Sequence, residues 1–389
     1  MASPLLSGNE VTLKIDKMAV GGYGLGRHEN MVIFVPFTAP GDLVKIKLTD
    51  VKKNFAWAEL KEIIEPSGSR VKPVCPHFGA CGGCQWQHLS APEQLVQKRI
   101  ILQDLVNKFL PDRKLEIPEV QASPLHYYYR NRSQPRKNNS TVGYHRRKSH
   151  DVLDIKECHI IEEPLAKSWP EIKSQILADE KKEGRTEIFL TNEHVPKWKW
   201  IDDANEDLLF SQVNRFQNED LLKAVMTLVA SGPNSKFMEL YAGSGNFTFP
   251  IFNEFFRSKT DEKSFVAVEK AAGLVQQAQS VMKNSKISPA KMQFLCSDVD
   301  LFVQRWGMTG YDLVLVDPPR TGLSETAVSA LAHGFPTRLI YISCHPVSLC
   351  RDLQILLKAH PEYRISFIKA YEMFPQTDHF ETIVELRID

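Results

Sequence analysis

The sequence predicts a multidomain α/β protein: a small N-terminal β-barrel, a central α+β domain and a C-terminal domain built on a mainly parallel sheet. Three observations support this prediction. The chain has 389 residues, more than one hydrophobic core usually supports. Short alternating segments with glycine-rich turns occupy residues 9–65. From about residue 206, strand patterns alternate with helix patterns, which is typical of α/β domains.

Composition and charge narrow the class of protein. Hydrophobic residues make up 43% and charged residues 24% of the chain, as in ordinary globular proteins. The N-terminus lacks a basic and then apolar leader, and no run reaches the roughly 18 apolar residues of a membrane helix. We therefore expect a cytoplasmic protein. Because the formal net charge is only +1, any contact with nucleic acid must come from a local patch.

Residues 9–65 have the pattern of a small barrel. Apolar and polar residues alternate from Val11 to Ile15, and a glycine-rich turn at residues 21–26 separates this segment from later ones. Gly41-Asp42 is a hairpin signal between two of the later segments. A closed barrel of this size resembles an oligonucleotide-binding fold, although a purely structural β module would have the same pattern.

Three cysteines follow the predicted barrel within the run CPHFGACGGC, at Cys75, Cys81 and Cys84. The chain has seven cysteines, an odd number, and no export signal, so a disulfide framework is not expected. Metal binding or catalysis explains this cluster better.

Residues 123–150 form a basic and aromatic segment that contains no acidic residue. Its basic and aromatic members are Arg130, Arg132, Arg136, Lys137, Arg146, Arg147, Lys148, Tyr127, Tyr128, Tyr129, Tyr144 and His145. Basic groups hold phosphates and aromatic faces stack on unpaired bases, so the segment is a candidate RNA-binding region. A solvated basic hairpin is the structural alternative.

A small-molecule site is predicted at the start of the C-terminal domain. A buried strand beginning at Phe237 runs into Gly243 and Gly245, which let a tight turn bring backbone close to a ligand at a helix start. A dinucleotide fingerprint would need a third glycine where Thr248 stands, so NAD is disfavoured. Glu239 and the two glycines form an ExxxGxG arrangement.

Acidic residues stand at the ends of the strands that follow. Glu269 ends one predicted strand, Asp298 lies near the end of the next, and Asp317 opens the run DPPR after a strongly apolar strand. Carboxylates at the carboxyl edge of a parallel sheet can accept hydrogen bonds from ribose hydroxyls or an adenine amino group. Their order along the chain favours a ligand-binding role over isolated surface acids.

Cys344 is the candidate nucleophile. A predicted strand ends at the run SCHP, and Pro346 suits the first turn of the helix that follows. Because the positive end of a helix dipole lowers the pKa of a nearby thiol, we expect thiolate character at Cys344. A buried structural cysteine is the alternative, and it better describes Cys296 and Cys350.

Together these motifs resemble the RNA uridine-5-methyltransferase family over nearly the whole chain. The motifs are the ExxxGxG loop, DPPR, SCHP, the CPHFGACGGC run and the C-terminal acid Glu381, for which Asp378 and His379 are local competitors. The resemblance implies a TRAM-like, oligonucleotide-binding-like barrel at residues 7–65 and a central iron-sulfur and RNA-binding α+β domain at residues 66–205. It also implies a Rossmann-like class I methyltransferase domain at residues 206–389.

The resemblance also implies roles for individual residues. The residues implied to bind S-adenosylmethionine are Gln212, in the run Phe210 to Asn214, and Tyr241, Asn246, Glu269, Asp298 and Asp317. Cys344 is implied as the nucleophile and Glu381 as the base. The implied ligands of a [4Fe-4S] cluster are Cys75, Cys81, Cys84 and Cys158, and zinc is the chemical alternative for four thiolates. His345 departs from the family pattern, which commonly has asparagine beside the nucleophile.

Members of this family with both the barrel and the cysteine cluster look like those acting on large-subunit ribosomal RNA. The resemblance therefore implies methylation of a single-stranded or flipped-out uridine in 23S rRNA, with no obligate protein partner. The alternatives are the same chemistry on tRNA and a non-catalytic RNA-binding iron-sulfur protein. The presence of Cys344, Glu381 and DPPR favours an enzyme.

Overall fold

The computed structural model describes residues 5–191, 193–201, 212–257, 264–334 and 336–388. These residues form two compact units, each assembled from separate stretches of the chain. The first unit consists of the described residues up to Ile101, Ser123–Ile201 and Phe374–His379. The second consists of Leu102–Ala122, the described residues between Ile201 and Phe374, and the described residues from Phe380. The predicted domain boundaries stay a prediction.

A closed five-stranded barrel opens the first unit. Its strands are β1 (Glu10–Ala19), β2 (Tyr23–His28), β3 (Met31–Val35), β4 (Leu43–Val51) and β5 (Phe55–Glu65). They follow the order β1-β2-β3-β5-β4, and β3 runs parallel to β5. Since successive side chains of a strand point to opposite faces, Leu13, Ile33 and Val44 fill the interior. The predicted barrel is confirmed.

The rest of the first unit combines helices with an antiparallel sheet. Its elements include the start of α1 (Ala91–Phe109), then β6 (Arg132–Ser133), β7 (Arg136–Asn138), β8 (Thr141–His145), β9 (Val152–Asp154), α2 (Glu163–Ala178), β10 (Glu183–Leu190) and β11 (Pro196–Ile201). Five strands follow the order β11-β10-β7-β8-β9, and β6 also pairs with β10. Trp169 and Ile176 of α2 pack with Val142 and Ile188 of the sheet.

The second unit alternates strands with helices. Its elements are α3 (Arg215–Ala230), β12 (Lys236–Leu240), α4 (Thr248–Ile251), β13 (Ser264–Glu269), α5 (Ala272–Asn284), β14 (Met292–Cys296), α6 (Val299–Trp306), β15 (Leu313–Val316), α7 (Glu325–Gly334), β16 (Arg338–Ser343), α8 (Pro346–Ala359), β17 (Arg364–Tyr371) and β18 (Glu381–Arg387). No helix in the described ranges has the length and apolar character needed to cross a membrane.

The seven strands of this unit follow the order β14-β13-β12-β15-β16-β18-β17. The first five are parallel, whereas β18 is antiparallel to both neighbours. Every residue of β15 and β16 is buried, as expected for central strands of a covered parallel sheet. The strand order reverses between β12 and β15, and ligands of such sheets bind outside the carboxyl ends of the strands at this point.

Candidate active site

The glycine loop after β12 is a tight turn held by a carboxylate. Gly243 and Gly245 have φ angles of 57° and 98°, and a Cβ atom on Gly245 would come within 2.4 Å of the Phe249 ring. Glu269 accepts a hydrogen bond from the Gly243 N–H at 2.9 Å and another from the Ala271 N–H at 2.8 Å. Glu269 at the end of β13 therefore fixes the loop in place before any ligand binds.

Glu239 and Thr248 form a buried pair beneath this loop. The Thr248 hydroxyl donates to Glu239 Oε2 at 2.6 Å. Burial, together with the nearby charge of Asp317, raises the pKa of Glu239 to about 8. Thr248, which stands where a dinucleotide-binding loop would have its third glycine, thus serves to hold the loop.

Two more predicted ligand residues lie on the loops and helices at this edge. Asp298 caps α6 by accepting from the Asp300 N–H at 3.0 Å, and Lys270 Nζ lies 3.0 Å from its carboxylate. The hydrogen bond from Lys270 lowers the pKa of Asp298. Asn246 exchanges two side-chain hydrogen bonds with Asn218 of α3, at 2.9 and 3.1 Å. These contacts fix the orientation of the Asp298 carboxylate and of the Asn246 side-chain amide.

Gln212 and Tyr241 complete the predicted set. Gln212 is buried just ahead of α3, whereas Phe210 and Ser211 of the quoted segment lie outside the described residues. Tyr241 directly follows β12 and has a left-handed backbone with a φ angle of 62°. Burial and the nearby aspartates raise the pKa of its phenol. Tyr241 is therefore a neutral side chain at the entrance of the glycine loop.

Strand pairing brings Cys344 and Glu381 to the same edge. The ladder between β16 and β18 ends with Ser343 opposite Thr382, so Cys344 follows one strand where Glu381 begins the other. Asp317 follows β15, the neighbour of β16. Glu381 is 4% exposed, and within the described part of the chain its Oε2 has no hydrogen-bond partner. An unsatisfied buried carboxylate oxygen is costly for stability and is typical of a functional site.

Burial and neighbouring charges raise the pKa of these three groups. Burial raises the pKa of Asp317, and burial together with the charge of Asp317 raises the pKa of Glu381, while Arg320 opposes this effect. Burial, followed by the charges of Glu381 and Asp317, raises the pKa of Cys344 to about 12. The expected lowering of the Cys344 pKa is therefore wrong for the protein alone. A helix terminus contributes only about 0.3–1 kcal/mol, less than one pKa unit, and burial outweighs it.

His345, which differs from the pattern of the family that the sequence resembles, caps α8 beside the predicted nucleophile Cys344. Its imidazole Nδ1 accepts from the Ser348 N–H at 3.4 Å. The backbone N–H of His345 donates to the Ser343 hydroxyl at 3.1 Å. Histidine thus supplies the side-chain acceptor that asparagine ordinarily provides at a helix N-terminus.

The loop after Asp317 is held by α8. Asp352 accepts from the Leu323 N–H at 2.8 Å and from the Tyr341 hydroxyl at 2.7 Å. The Ser348 hydroxyl donates to the carbonyl oxygen of Arg320 at 3.0 Å. The sequence analysis missed the role of Asp352 and Ser348 in holding this loop. For Asp352 a signal existed, because it is a charged residue on the apolar face of α8. The sequence analysis also missed Asn218, for which no sequence signal exists.

The local competitors of Glu381 belong to the other unit. Asp378 accepts a hydrogen bond from the Gly21 N–H of the barrel at 2.7 Å, and His379 closes the same short segment. Of Asp378, His379 and Glu381, it is Glu381 whose charge raises the pKa of Cys344. Glu381 is therefore the better candidate for the base.

The four remaining predicted ligands line one cavity of about 190 Å³ in the first unit: Cys75, Cys81, Cys84 and Cys158. Cys158 is close enough for its charge to raise the pKa of each of the other three. The Gly83 N–H donates to Cys81 Sγ at 3.4 Å, and the Ile160 and Ile161 N–H groups face Cys158. Across the ranges that the structure describes, no three His, Cys, Asp or Glu side chains form a group that could hold a metal ion.

The fold and the edge residues define the class of protein. A mainly parallel sheet with this strand order, a glycine loop after β12 and the predicted nucleophile Cys344 after β16 are typical of a methyltransferase domain, and a barrel precedes it along the chain. Sequence profiles agree. The profile described as tRNA (Uracil-5-)-methyltransferase matches residues 186–388, and the TRAM domain profile matches residues 4–61.

Whole-chain similarity is more specific. The chain is 41% identical to an uncharacterized RNA methyltransferase of Bdellovibrio bacteriovorus, over 100% of this chain and 97% of that protein. It is 28% identical to the 23S rRNA (uracil(1939)-C(5))-methyltransferase of Shewanella piezotolerans, over 96% of this chain and 95% of that protein. The solved Pyrococcus abyssi tRNA (uracil-54, C5)-methyltransferase, in complex with S-adenosyl-L-homocysteine, has a TM-score of 0.73 at 22% identity, covering 96% of this chain and 99% of that one.

This chain belongs to the RNA (uracil-5-)-methyltransferase family and is an enzyme of that class. The family resemblance found in the sequence is confirmed.

Proposed function

We propose that this enzyme transfers a methyl group from S-adenosylmethionine to C5 of a uridine in 23S rRNA, forming 5-methyluridine through a covalent adduct with Cys344. The observation that carries the proposal is the meeting of Cys344, Glu381 and Asp317 at one sheet edge, with raised pKa values. Perturbed ionisable groups at the ligand-binding edge of a parallel sheet are typical of catalysis.

The residues of the glycine loop and its neighbours would hold the methyl donor. Bound S-adenosylmethionine supplies an electrophilic methyl group on a positively charged sulfur. Glu269 and Asp298 each accept hydrogen bonds from backbone N–H groups, yet a carboxylate has about four lone-pair sites. Both therefore retain capacity for ribose hydroxyls or an adenine amino group. Gln212, Tyr241 and Asn246 would complete the pocket.

Cys344 would start the reaction by adding to the uracil ring. The thiolate forms a bond to C6, and the ring electron pair moves toward C5 and the O4 carbonyl as an enolate. C5 is then nucleophilic enough to bond to the methyl carbon, and the bond between that carbon and the sulfonium sulfur breaks. Covalent catalysis of this kind divides one difficult step into easier ones.

Glu381 would complete the reaction. Its carboxylate removes the proton from C5, the electron pair re-forms the C5–C6 double bond, and the thiolate of Cys344 leaves C6. The unsatisfied Oε2 of Glu381 is available for this proton. A raised carboxyl pKa brings the group closer to the operating pH, which favours general base catalysis.

The charges around Cys344 suggest how the thiol is activated. Glu381 and Asp317 oppose formation of the thiolate, and Arg320 favours it. A sulfonium cation held near Glu381, Asp317 and Cys344 would lower the pKa of each of these three acids. Binding of the methyl donor would thus generate the nucleophile only when the electrophile is present, which protects a buried thiolate from side reactions.

The choice of 23S rRNA rests on the full-length similarity to relatives named for that substrate. The same chemistry on tRNA is the second candidate, because the family description and the solved archaeal neighbour both name tRNA. Either substrate must present the uridine unstacked, since a paired base cannot meet the thiol and the methyl donor together.

We also propose that Cys75, Cys81, Cys84 and Cys158 hold a [4Fe-4S] cluster. All four line one cavity, and the N–H groups facing Cys81 and Cys158 suit anionic sulfur. Zinc is the alternative occupant. A polar methyl transfer needs no electron transfer, so the cluster would stabilise the first unit and its RNA-binding segment.

The deciding experiment compares wild type with Cys344→Ala on unmodified rRNA and on unmodified tRNA, each supplied with S-adenosylmethionine. The RNA is then digested and 5-methyluridine is measured by mass spectrometry. Product on rRNA with wild type alone supports both the reaction and the nucleophile. Product on tRNA alone overturns the substrate, and undiminished product with Cys344→Ala overturns the mechanism.

A further inference from the structure

Three neighbouring barrel strands carry aromatic side chains on the outer face of the barrel. These are Tyr23 of β2, Phe34 of β3 and Trp57 of β5, whose neighbours along each strand are buried in the interior. The ring centroids of Tyr23 and Trp57 are 4.6 Å apart, and those of Phe34 and Trp57 are 4.8 Å apart. Phe55 extends the group and is 37% exposed. The barrel core does not require aromatic rings outside, so this patch points to a ligand.

Two cations lie over these rings. Lys148 Nζ is 5.2 Å from the centroid of the Tyr23 ring and 5.4 Å from that of Trp57. Arg147 Cζ is 5.2 Å from the centroid of Tyr23 and 4.6 Å from that of Phe37. Both cations come from a segment without acidic residues. The surface therefore combines aromatic faces with positive charge.

The cysteine loop positions these cations. The Arg147 N–H donates to the Ala80 carbonyl oxygen at 3.0 Å, and the Gly82 N–H donates to the His145 carbonyl oxygen at 3.0 Å. Cys81 and Arg146 form a β-bridge between the two segments. The backbone that carries Arg147 and Lys148 is therefore tied to the loop that carries Cys81.

We propose that Tyr23, Phe34, Trp57, Arg147 and Lys148 form a single-stranded RNA site, here called the aromatic platform. Unpaired bases take the place of the two cations over the rings, and the displaced cations hold the flanking phosphates, since sequence-tolerant single-strand sites combine stacking rings with basic groups. The site binds RNA bases other than the uridine that is methylated. The proposal rests on the proposed function, because it assigns part of the same RNA substrate to the barrel.

Trp57 variants test the platform in the full-length protein. The probe is a fluorescent single-stranded RNA, with the same RNA as a duplex for comparison. Trp57→Leu keeps apolar volume but removes the stacking face, so we expect single-strand affinity to fall about tenfold. Trp57→Phe keeps a ring and stays within about twofold of wild type. The lower RNA affinity of Trp57→Leu should appear as a higher KM for RNA in the methylation reaction.

Trp306 is the matched control, since it is 68% exposed and has Arg305 Cζ 5.2 Å from its ring centroid, as in the platform. Trp306→Leu should leave RNA affinity and both kinetic constants unchanged. Equal affinity of Trp57→Leu and Trp57→Phe, or an equal loss in Trp306→Leu, overturns the platform. Lys148→Gln, at an exposed position, should reduce the slope of log affinity against log salt by about 0.7.

These variants distinguish a failure of the aromatic platform from a failure of the proposed enzymatic function. If wild type methylates RNA but neither Trp57→Leu nor Lys148→Gln alters binding, the platform is wrong and the enzymatic function stands. If wild type produces no 5-methyluridine while Trp57→Leu weakens binding, the function is wrong and the platform stands. If Trp57→Leu does not fold, the salt slope of Lys148→Gln decides the question.

Discussion

The cysteines proposed as metal ligands and the cysteine proposed as nucleophile differ in the charges and dipoles around their sulfur atoms. In the first unit, Cys81 and Cys158 face backbone N–H groups, and Arg130 lies near Cys158. In the second unit, Cys344 faces the carboxyl groups of Glu381 and Asp317. Burial raises the thiol pKa at both sites, so the difference lies in the neighbouring charges and dipoles.

Under the two proposals, this difference would separate a metal ligand from a nucleophile. Donors around a sulfur stabilise the permanent anion that a bound metal requires. Carboxylates around a sulfur keep it protonated until a cation enters, which suits a thiolate needed only during the reaction. The same residue type would therefore serve two purposes because of what the fold places beside it.

Removing the proposed nucleophile should have the largest effect. Cys344→Ala should lower methyl transfer by roughly 10⁴-fold or more, because the covalent adduct at C6 cannot form without this thiol. Transfer of labelled methyl groups to RNA measures this loss. Cys350→Ala, a change of a buried cysteine on α8, is the control and should retain most activity. Equal losses in the two variants would show that Cys344 is structural.

Glu381→Gln should stall the reaction after methylation. Without a base the C5 proton remains, the cysteine cannot leave, and a protein–RNA adduct accumulates while turnover falls by about 10²–10⁴-fold. The adduct is measured on denaturing gels. A folded Glu381→Gln protein that forms no adduct, where wild type turns over, would contradict the assigned role.

Cys81→Ala should affect the first unit and spare the chemistry. Losing one ligand would release the proposed cluster and lower the free energy of unfolding by several kcal/mol, since metal binding is coupled to folding. Iron content, melting temperature and RNA affinity should all fall. At saturating RNA, folded protein should still transfer methyl groups, and a selective loss of transfer in a folded variant with normal RNA affinity would refute a structural cluster.

The smallest expected effect is a change in stability with pH. Folding raises the pKa of Glu381. Its contribution to folding stability is therefore fully present at pH values below the ordinary carboxyl pKa, and it is lost as the pH rises through the pKa of the folded state. Glu381→Gln should therefore raise the melting temperature by about 2–4 °C at alkaline pH, equivalent to about 1 kcal/mol. The gain should shrink toward pH 4, near the unperturbed value of about 4.3. Calorimetry across this range measures it, and a gain independent of pH would exclude burial of the charge as its cause.

Much of the fold could be predicted from local pattern. The alternation of apolar and polar residues predicted the barrel. Apolar strands that end in glycines or acids predicted the α/β domain and placed its ligand site at the carboxyl edge of the sheet. The pKa of Cys344 could not be predicted in this way. It depends on desolvation and on charges from Asp317 and Glu381, which lie 27 and 37 residues away along the chain.

By itself, the sequence determined the chemistry available to this protein: a thiol before a helix, ordered acids after strands, and four cysteines with a specific spacing. Only the tertiary structure decided which of these groups meet. Antiparallel pairing of β18 with β16 brings Glu381 to Cys344, and the barrel strands align Tyr23, Phe34 and Trp57 on one face. Long-range pairing decides this, because electrostatic and stacking interactions depend on distance in space and not on separation in sequence.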